Sequence, residues 1–504
     1  MERKSYMHLK SGSDVRGVAV TTERDEVTLT REALGDITRA FLKWLSLKSG
    51  KKTPKIAVGY DCRISNEVIF AIVKETVLSC GCDVIGCGLS STPSMFMLLK
   101  DEGWGCDASI MITASHLPFN MNGLKFFTPD GGLSGSEIST ILSYAEEGLS
   151  LPQGEGKFER KPYMKKYCEN LVETVRSATG TDMPLYGRII VVDAGNGVGG
   201  FFASKVLKPL GAITSGSINL CPDGRFPAHI PNPELPEAME ALKRAVLFSK
   251  AQLGISFDTD VDRAAIVDGD GNPVNRDKLI ALVAATILQE RPATIVTDSV
   301  TCDGLTKFIN NRGGRHVRFK RGYKNVIDEA IRRNENGDYC PLAMETSGHA
   351  AFKDNYFLDD GAYLICKLLV TFYMQAQKRE KLCDLIDKLE LPVEQDEVRL
   401  KFTADCRNFK EEGDRIIREL KFFADADSRV DLVPNSYEGV RINFPRYDGD
   451  GWLLIRQSVH DPVMPVNFAS LSQGGDKVMA KYLYSFVSKY PFLDVSALKE
   501  FIEK

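Results

Sequence analysis

Apolar residues recur along this chain at two periods, and the switches between them outline its architecture. Residues 30–47 carry Leu34, Ile37, Phe41, Trp44 and Leu45 at helical spacing, with Thr30 placed as an N-cap. Short apolar runs at 55–60, 109–113, 188–193 and 253–257 have the length of buried strands. Strand and helix alternate up to residue 115, as a parallel or mixed sheet requires. Further α/β units begin at residue 188 and near 273. Beyond residue 389 the texture changes to strand-like stretches at 397–402, 440–444 and 452–455, closed by an amphipathic segment at 476–488. Gly-rich, charged residues 148–161 read as a linker, and 378–381 as a charged connection.

Composition narrows the class. A chain of 504 residues is too long for one core and predicts three or four domains. A net charge of −4 gives no basic field for nucleic acid or an anionic membrane. The longest apolar run, 279–288, is half of what a membrane span needs. The N-terminal residues have neither a signal core nor transit-peptide character. Twelve scattered cysteines without a Cys-x-x-Cys pair predict reduced, mostly buried thiols. The expectation is a soluble protein of the cytoplasm.

The candidate chemistry lies at strand ends. Residues 109–113 end in Thr113-Ala114-Ser115-His116-Leu117-Pro118, followed by Asn122-Gly123-Leu124-Lys125-Phe126-Phe127. Ser115 is thus expected on a loop at a strand's carboxyl end, where open α/β sheets hold their sites. The apolar run 253–257 leads into Asp258-Thr259-Asp260-Val261-Asp262-Arg263. Carboxylates at i, i+2 and i+4 can turn toward one hard cation, and oxygen-only ligands select Mg²⁺. The loop lacks the glycine and glutamate of an EF-hand. Ala194-Gly195-Asn196-Gly197-Val198-Gly199-Gly200 satisfies Gly-x-Gly-x-x-Gly, but no acidic residue ends the next strand, so a dinucleotide site is rejected.

Thr-Ala-Ser-His followed by Asn-Gly-x-Lys resembles the phosphoserine loop of the α-D-phosphohexomutases. Asp14-Val15-Arg16-Gly17, Asp61-Cys62-Arg63-Ile64-Ser65 and the proline-punctuated 222–234 loop are similar to segments of the same family, and 258–263 to its metal loop, with Thr259 in place of the usual glycine. Met344-Glu345-Thr346-Ser347-Gly348-His349, completed by Asp359-Asp360-Gly361, resembles the sugar-binding loop. In Lys320-Arg321-Gly322-Tyr323-Lys324, Tyr323 stands where several members have histidine. Arg456-Gln457-Ser458-Val459-His460-Asp461-Pro462 resembles the phosphate-binding loop, from which Val459, His460 and the nearby Pro465 depart.

The resemblance implies three similar mixed-sheet α/β domains (1–160, 161–272, 273–388) and a C-terminal α+β domain (389–504) around one cleft. It implies phosphoryl transfer between the 1- and 6-positions of hexose phosphates, of glucose and mannose, with Ser115 carrying the phosphoryl group and hexose 1,6-bisphosphate as intermediate. Mg²⁺ would be held by Asp258, Asp260, Asp262 and phosphorylated Ser115. Lys125, Arg263, Arg16 and His349 would serve the transfer. Glu345, Ser347 and Lys324 would bind the sugar, and Arg456, Ser458 and His460 its other phosphate. The expected partners are small sugar phosphates, with no nucleic acid or membrane, in a monomer or dimer. Two alternatives stand beside this: a phosphoglucosamine mutase, to which 122–127 is close, and a non-catalytic sugar-phosphate-binding protein of the same fold. A phosphatase using Asp258 as nucleophile would leave Ser115 idle.

Overall fold

The computed structural model describes residues 5–148, 153–434, 436–458 and 461–504. They fall into two compact units, one of Met1–Val283 with Ser347–Leu385, the other of Ala284–Thr346 with Ile386–Lys504.

In the first unit a mixed sheet runs in the order Lys10–Ser11, Asp14–Val18, Met121–Thr128, Ala108–Ile112, Ile56–Tyr60, Val84–Leu89, Phe158–Arg160. Its central strands pair parallel, while Met121–Thr128 runs antiparallel to Ala108–Ile112 and to Asp14–Val18. The helix Arg31–Ser49 begins where Thr30 accepts a hydrogen bond from Ala33 N and ends at Gly50, whose left-handed φ of 73° a side chain would resist. All five apolar positions of its predicted stripe are buried. Phe41 from that stripe meets Phe126 of the sheet with ring centroids 4.5 Å apart. Each such ring withdraws enough apolar surface to contribute about 1.5–3 kcal/mol. The predicted linker is partly structured: Phe158–Arg160 pairs parallel with Val84–Leu89 as an edge strand. Its residues are exposed and polar-flanked, which is why no buried-strand pattern marks it.

A second mixed sheet has the order Pro273–Val274, Ala264–Asp268, Leu253–Phe257, Ile190–Asp193, with the last two parallel. Helices Met164–Thr179, Pro236–Ser249 and Gly361–Gln377 belong to the same unit. The glycine loop after Ile190–Asp193 has a packing role. A Cβ on Gly197 would come within 2.8 Å of the Thr259 backbone, and Val198 N donates to Thr259 O.

In the second unit Arg315–Arg318, Thr294–Thr297 and Leu342–Met344 pair parallel. A six-stranded antiparallel sheet follows in the order Asp431–Leu432, Val440–Phe444, Gly451–Ile455, Val463–Ser470, Glu394–Phe402, Leu493–Asp494. Helices Phe409–Asp425 and Gly475–Val487 cover it through Ile416, Leu420, Met479 and Leu483. All twelve cysteines are free thiols. Among the described residues no helix is long and apolar enough to cross a membrane.

Candidate active site

Ala108–Ile112 delivers Ser115 to a loop at its carboxyl end. There Ser115 adopts φ 52°, a left-handed conformation that costs a non-glycine residue energy. A buried guanidinium holds the loop in shape. Arg63 Nη1 donates to Pro118 O and Met121 O at 2.6 and 2.8 Å, and Nη2 to Ser115 O and Leu117 O at 2.6 and 2.5 Å. Asp61 completes the scaffold: it accepts from Thr113 Oγ1 at 2.7 Å, and Thr113 Oγ1 accepts from Ser115 N at 2.9 Å. Burial pushes Asp61 up and Arg63 down in pKa, and each opposes the other's shift.

Leu253–Phe257 delivers the second loop. Ser115 Oγ donates to Asp258 Oδ2 at 2.9 Å. Asp258, Asp260 and Asp262 are all buried, each offering an oxygen within 4.8 Å of the others'. Val261 between them has φ 68°, an outlier for a β-branched residue. Burial and the charges of Asp262 and Asp260 push Asp258 well above the usual carboxylate range. Burial acts the same way on Asp262, but Lys125, His349 and Arg263 together hold it below that range. Lys125 Nζ lies 2.5 Å from Asp262 and 3.4 Å from Asp260. Asp260 Oδ1 and Asp262 Oδ1 are buried without a hydrogen-bond partner. Two orphaned oxygens among three buried carboxylates are the donor set of a hard divalent cation, so the residues fit one.

Arg16 stands opposite Gly123 in the strand pairing and so shares a sheet face with Lys125. It pairs with Asp14 at 2.8 Å. Burial opposes its charge, yet Asp14, Asp260 and Asp262 more than offset that and raise its pKa. Beside Ser115, His116 Nδ1 lies 3.2 Å from Oγ, and burial with Arg263 and Arg16 nearby lowers it to about 2, a neutral imidazole.

The loop 347–349 is stitched to the metal loop. Arg263 and His349 form an antiparallel bridge, Ala264 N donates to Gly348 O, and a Cβ on Gly361 would meet the Arg263 backbone at 2.7 Å. Arg263 Nε donates to His349 Nε2 at 2.9 Å, which leaves the ring proton on Nδ1 facing Asp359. Burial works against a charged His349, but Asp359 outweighs it and raises the pKa. Arg263 also reaches Glu234 at 3.4 Å, which gives the proline-punctuated loop a place beside the site. Ser347 Oγ is buried without a hydrogen-bond partner.

Within the second unit, Glu345 Oε1 accepts from Gly322 N at 2.6 Å, at the start of helix Tyr323–Glu335. Lys324 pairs with Asp328 at 2.6 Å on that helix. Arg456 lies 3.6 Å from Glu438, its Nε buried and without a hydrogen-bond partner. Ser458 N donates to Val463 O, and Ser458 Oγ accepts from Asp461 N at 3.2 Å. His460 and Val459 lie outside the described residues.

Asp61, Arg63, Thr113, His116, Asp359 and Glu438 were not singled out as site residues from sequence. Asp61, Arg63, Thr113, His116 and Asp359 sat in recognised segments, but Glu438 carries no local signal.

Fold and site define a multidomain α/β enzyme. Three domain models, described as phosphoglucomutase/phosphomannomutase alpha/beta/alpha domains I, II and III, match residues 8–150, 165–271 and 275–389. A phosphoglucomutase of Neisseria gonorrhoeae is 28% identical over 485 residues, covering 95% of this chain and 96% of its own. A phosphomannomutase/phosphoglucomutase of Pseudomonas aeruginosa is 29% identical over 458 residues, covering 90% of each. The crystal structure of a phosphoglucomutase/phosphomannomutase family protein from Burkholderia thailandensis superimposes with a TM-score of 0.79 at 27% identity, covering 97% of this chain and 99% of that one. The chain belongs to the phosphoglucomutase/phosphomannomutase family and is a phosphohexomutase: three α/β/α domains with a fourth, β-rich domain after them.

Proposed function

We propose that this enzyme moves a phosphoryl group reversibly between the 1- and 6-positions of glucose and mannose phosphates, through a phosphorylated Ser115 and a hexose 1,6-bisphosphate. The observation that carries the reading is the Ser115 hydroxyl held 2.9 Å from Asp258 inside a trio of buried carboxylates. In the first half-reaction the sugar hydroxyl oxygen bonds to phosphorus, the bond from phosphorus to Ser115 Oγ breaks, and the hydroxyl gives up its proton while Ser115 Oγ regains one. The return transfer reverses these steps with the other phosphate. Asp258, Asp260 and Asp262 would hold Mg²⁺, which when bound neutralises charge on the phosphoserine oxygens.

Lys125 and Arg263 stabilise the equatorial oxygens during transfer. His349, oriented by Asp359, takes the hydroxyl proton once the Arg263 hydrogen bond to its Nε2 opens. Arg16 supports that transfer electrostatically. Glu345, Ser347 and Lys324 recognise the sugar, whose hydroxyls a polar site discriminates strongly. Arg456, Ser458 and His460 hold the phosphate that is not transferred. The names of the Neisseria and Pseudomonas relatives support glucose and mannose as the sugars.

The division at 160, 272 and 388 is part of the same proposal, supported by one complete sheet in each of the first and last stretches, while the sheet of the second runs just past 272 to take in Pro273–Val274. So are action in the cytoplasm, a monomeric or dimeric state, and no partner among nucleic acids or membranes. Coupled assays on glucose, mannose and glucosamine phosphates, primed with the matching bisphosphate, test the reading. Turnover confined to glucosamine phosphate would replace the sugar. Binding without turnover on any of the three would make the protein a non-catalytic binder.

A further inference from the structure

A cavity of about 240 Å³ opens within the second unit, lined by the edge strand Arg315–Arg318 and by Ser436 and Tyr437 just before Val440–Phe444. Arg315, Arg318, Arg333 and Arg441 all line it, and no carboxylate stands among the described residues that do. None of these residues belongs to the loops assigned to the transfer, the sugar or its other phosphate. We propose that this cavity is a further anion site, taking a small phosphate-bearing molecule on Arg318, Arg333 and Arg441.

The strand explains why donors gather here. Arg315-His316-Val317-Arg318 forms the outer edge of its sheet and pairs only with Thr294–Thr297. Arg315 N and Phe319 N donate into the sheet, so the alternate amides, of His316 and Arg318, face outward from the edge. Phe319 meets Tyr437 with ring centroids 4.9 Å apart, which ties the strand to the segment facing it. His316 adds no charge. Its ring nitrogens are taken up by Thr297 and Thr306 at 2.8 and 2.7 Å, and burial with the charges of Arg318 and Arg441 holds its pKa well below the usual range.

The arginines outnumber the carboxylates that hold them. Asp303 alone serves both Arg318 and Arg441, at 2.7 and 2.9 Å, while Glu329 and Asp338 are shared among Arg315, Arg332 and Arg333. Glu438, next after Tyr437, is committed to Ser299, the backbone of Arg321 and Arg456. Arg318 uses Nε and Nη2 on Thr301, Cys302 and Asp303, which leaves Nη1 without a hydrogen-bond partner among the described residues. Arg333 uses Nε and Nη1 on Glu329 and Asp338, which leaves its Nη2 in the same state. Arg441, stacked 3.7 Å over Trp452, is buried with its Nε unpartnered. Burial and the charge of Arg318 lower its pKa to about 9 against the pull of Asp303. A phosphate dianion relieves that repulsion, and its several oxygens suit guanidiniums that line one cavity from a strand, a helix and a second strand. At about 240 Å³ the cavity lies below the roughly 300–1,000 Å³ of larger organic ligands, which limits the occupant to a small molecule.

The test titrates the full chain with inorganic phosphate and with acetate by calorimetry, for wild type, Arg318→Gln and Ser436→Glu. Ser436 is an exposed lining residue, so a carboxylate there opposes an anion while every arginine keeps its place. Wild type is expected to bind phosphate at a class of site that each variant weakens by roughly tenfold or more, the scale of a charge-assisted contact. The KM and kcat for glucose 1-phosphate, measured without free phosphate, should stay within about twofold in Ser436→Glu, as for a surface change away from the reacting groups. Wild type that binds no phosphate overturns the proposal, as does acetate bound as tightly as phosphate. A phosphate Kd in Ser436→Glu within about twofold of wild type at every site also overturns it. So does a rise in KM that matches the loss of phosphate affinity, which would put the anion in the Arg456 loop. If Arg318→Gln fails to fold, Ser436→Glu decides. Wild type without turnover would count against the mutase reading alone, because the phosphate titration does not depend on it.

Discussion

Ser115 Oγ donates to Asp258 Oδ2 at 2.9 Å, a hydrogen bond that joins residues 143 positions apart. A neutral hydroxyl can sit against that carboxylate. A phosphorylated one would bring further negative charge to three buried aspartates that Lys125 and Arg263 only partly balance. The arrangement thus calls for a cation once the serine is modified, and it ties the two motifs to one chemistry.

Ser115→Ala should abolish mutase turnover, by roughly 10³-fold or more, because it removes the hydroxyl that faces the carboxylate trio and would carry the phosphoryl group. Intact mass should show a phosphate on wild type after treatment with glucose 1,6-bisphosphate and none on the variant, with circular dichroism unchanged. A variant retaining a tenth of the wild-type rate would remove Ser115 as the carrier.

Asp260→Asn should raise the Mg²⁺ concentration for half-maximal rate by at least about tenfold, through loss of one charged ligand. The fold should survive, since Asp260 Oδ2 accepts from Thr92 Oγ1 at 2.5 Å and an asparagine oxygen can do the same. A metal titration identical to wild type would place the cation elsewhere.

Arg63→Met should destabilise the protein by about 3–5 kcal/mol, the scale of breaking a buried ion pair. Asp61 would lose a partner at 3.3 Å, and four carbonyls of the Ser115 loop would lose their donor. Urea unfolding measures this. A change below about 1 kcal/mol would mean that the loop holds its shape without Arg63.

His229 supplies a pH dependence of stability. Its Nε2 pairs with Asp193 at 2.9 Å, and that hydrogen bond raises its pKa despite partial burial. A folded pKa above the unfolded value of about 6.5 stabilises the native state fully below that value, and the contribution is lost as pH rises through the folded pKa. The difference in Tm between wild type and His229→Gln should therefore be larger near pH 6 than near pH 9. An equal difference at both would show that the pair acts through its hydrogen bond and not through charge.

The sequence by itself determined the local elements and marked the candidate reacting groups. The apolar stripe from Leu34 to Leu45 could only bury as a helix. Ser115 and the 258–262 carboxylates each follow a short apolar run, and the resemblance of their loops to those of the phosphohexomutases singled them out. What sequence left open was everything set by residues distant along the chain. The edge strand Phe158–Arg160 exists because Val84–Leu89 offers unpaired backbone groups, a fact that its own exposed residues do not encode. The Ser115 loop has its shape because Arg63 reaches carbonyls 52 to 58 residues away. The ring proton of His349 lies on Nδ1 because Arg263 donates to the other nitrogen across 86 residues. Periodicity and spacing are local quantities, whereas these hydrogen bonds and the burial that strengthens them arise only when separate segments pack together. Which side chain holds, charges or orients a catalytic group was therefore decided by the tertiary structure.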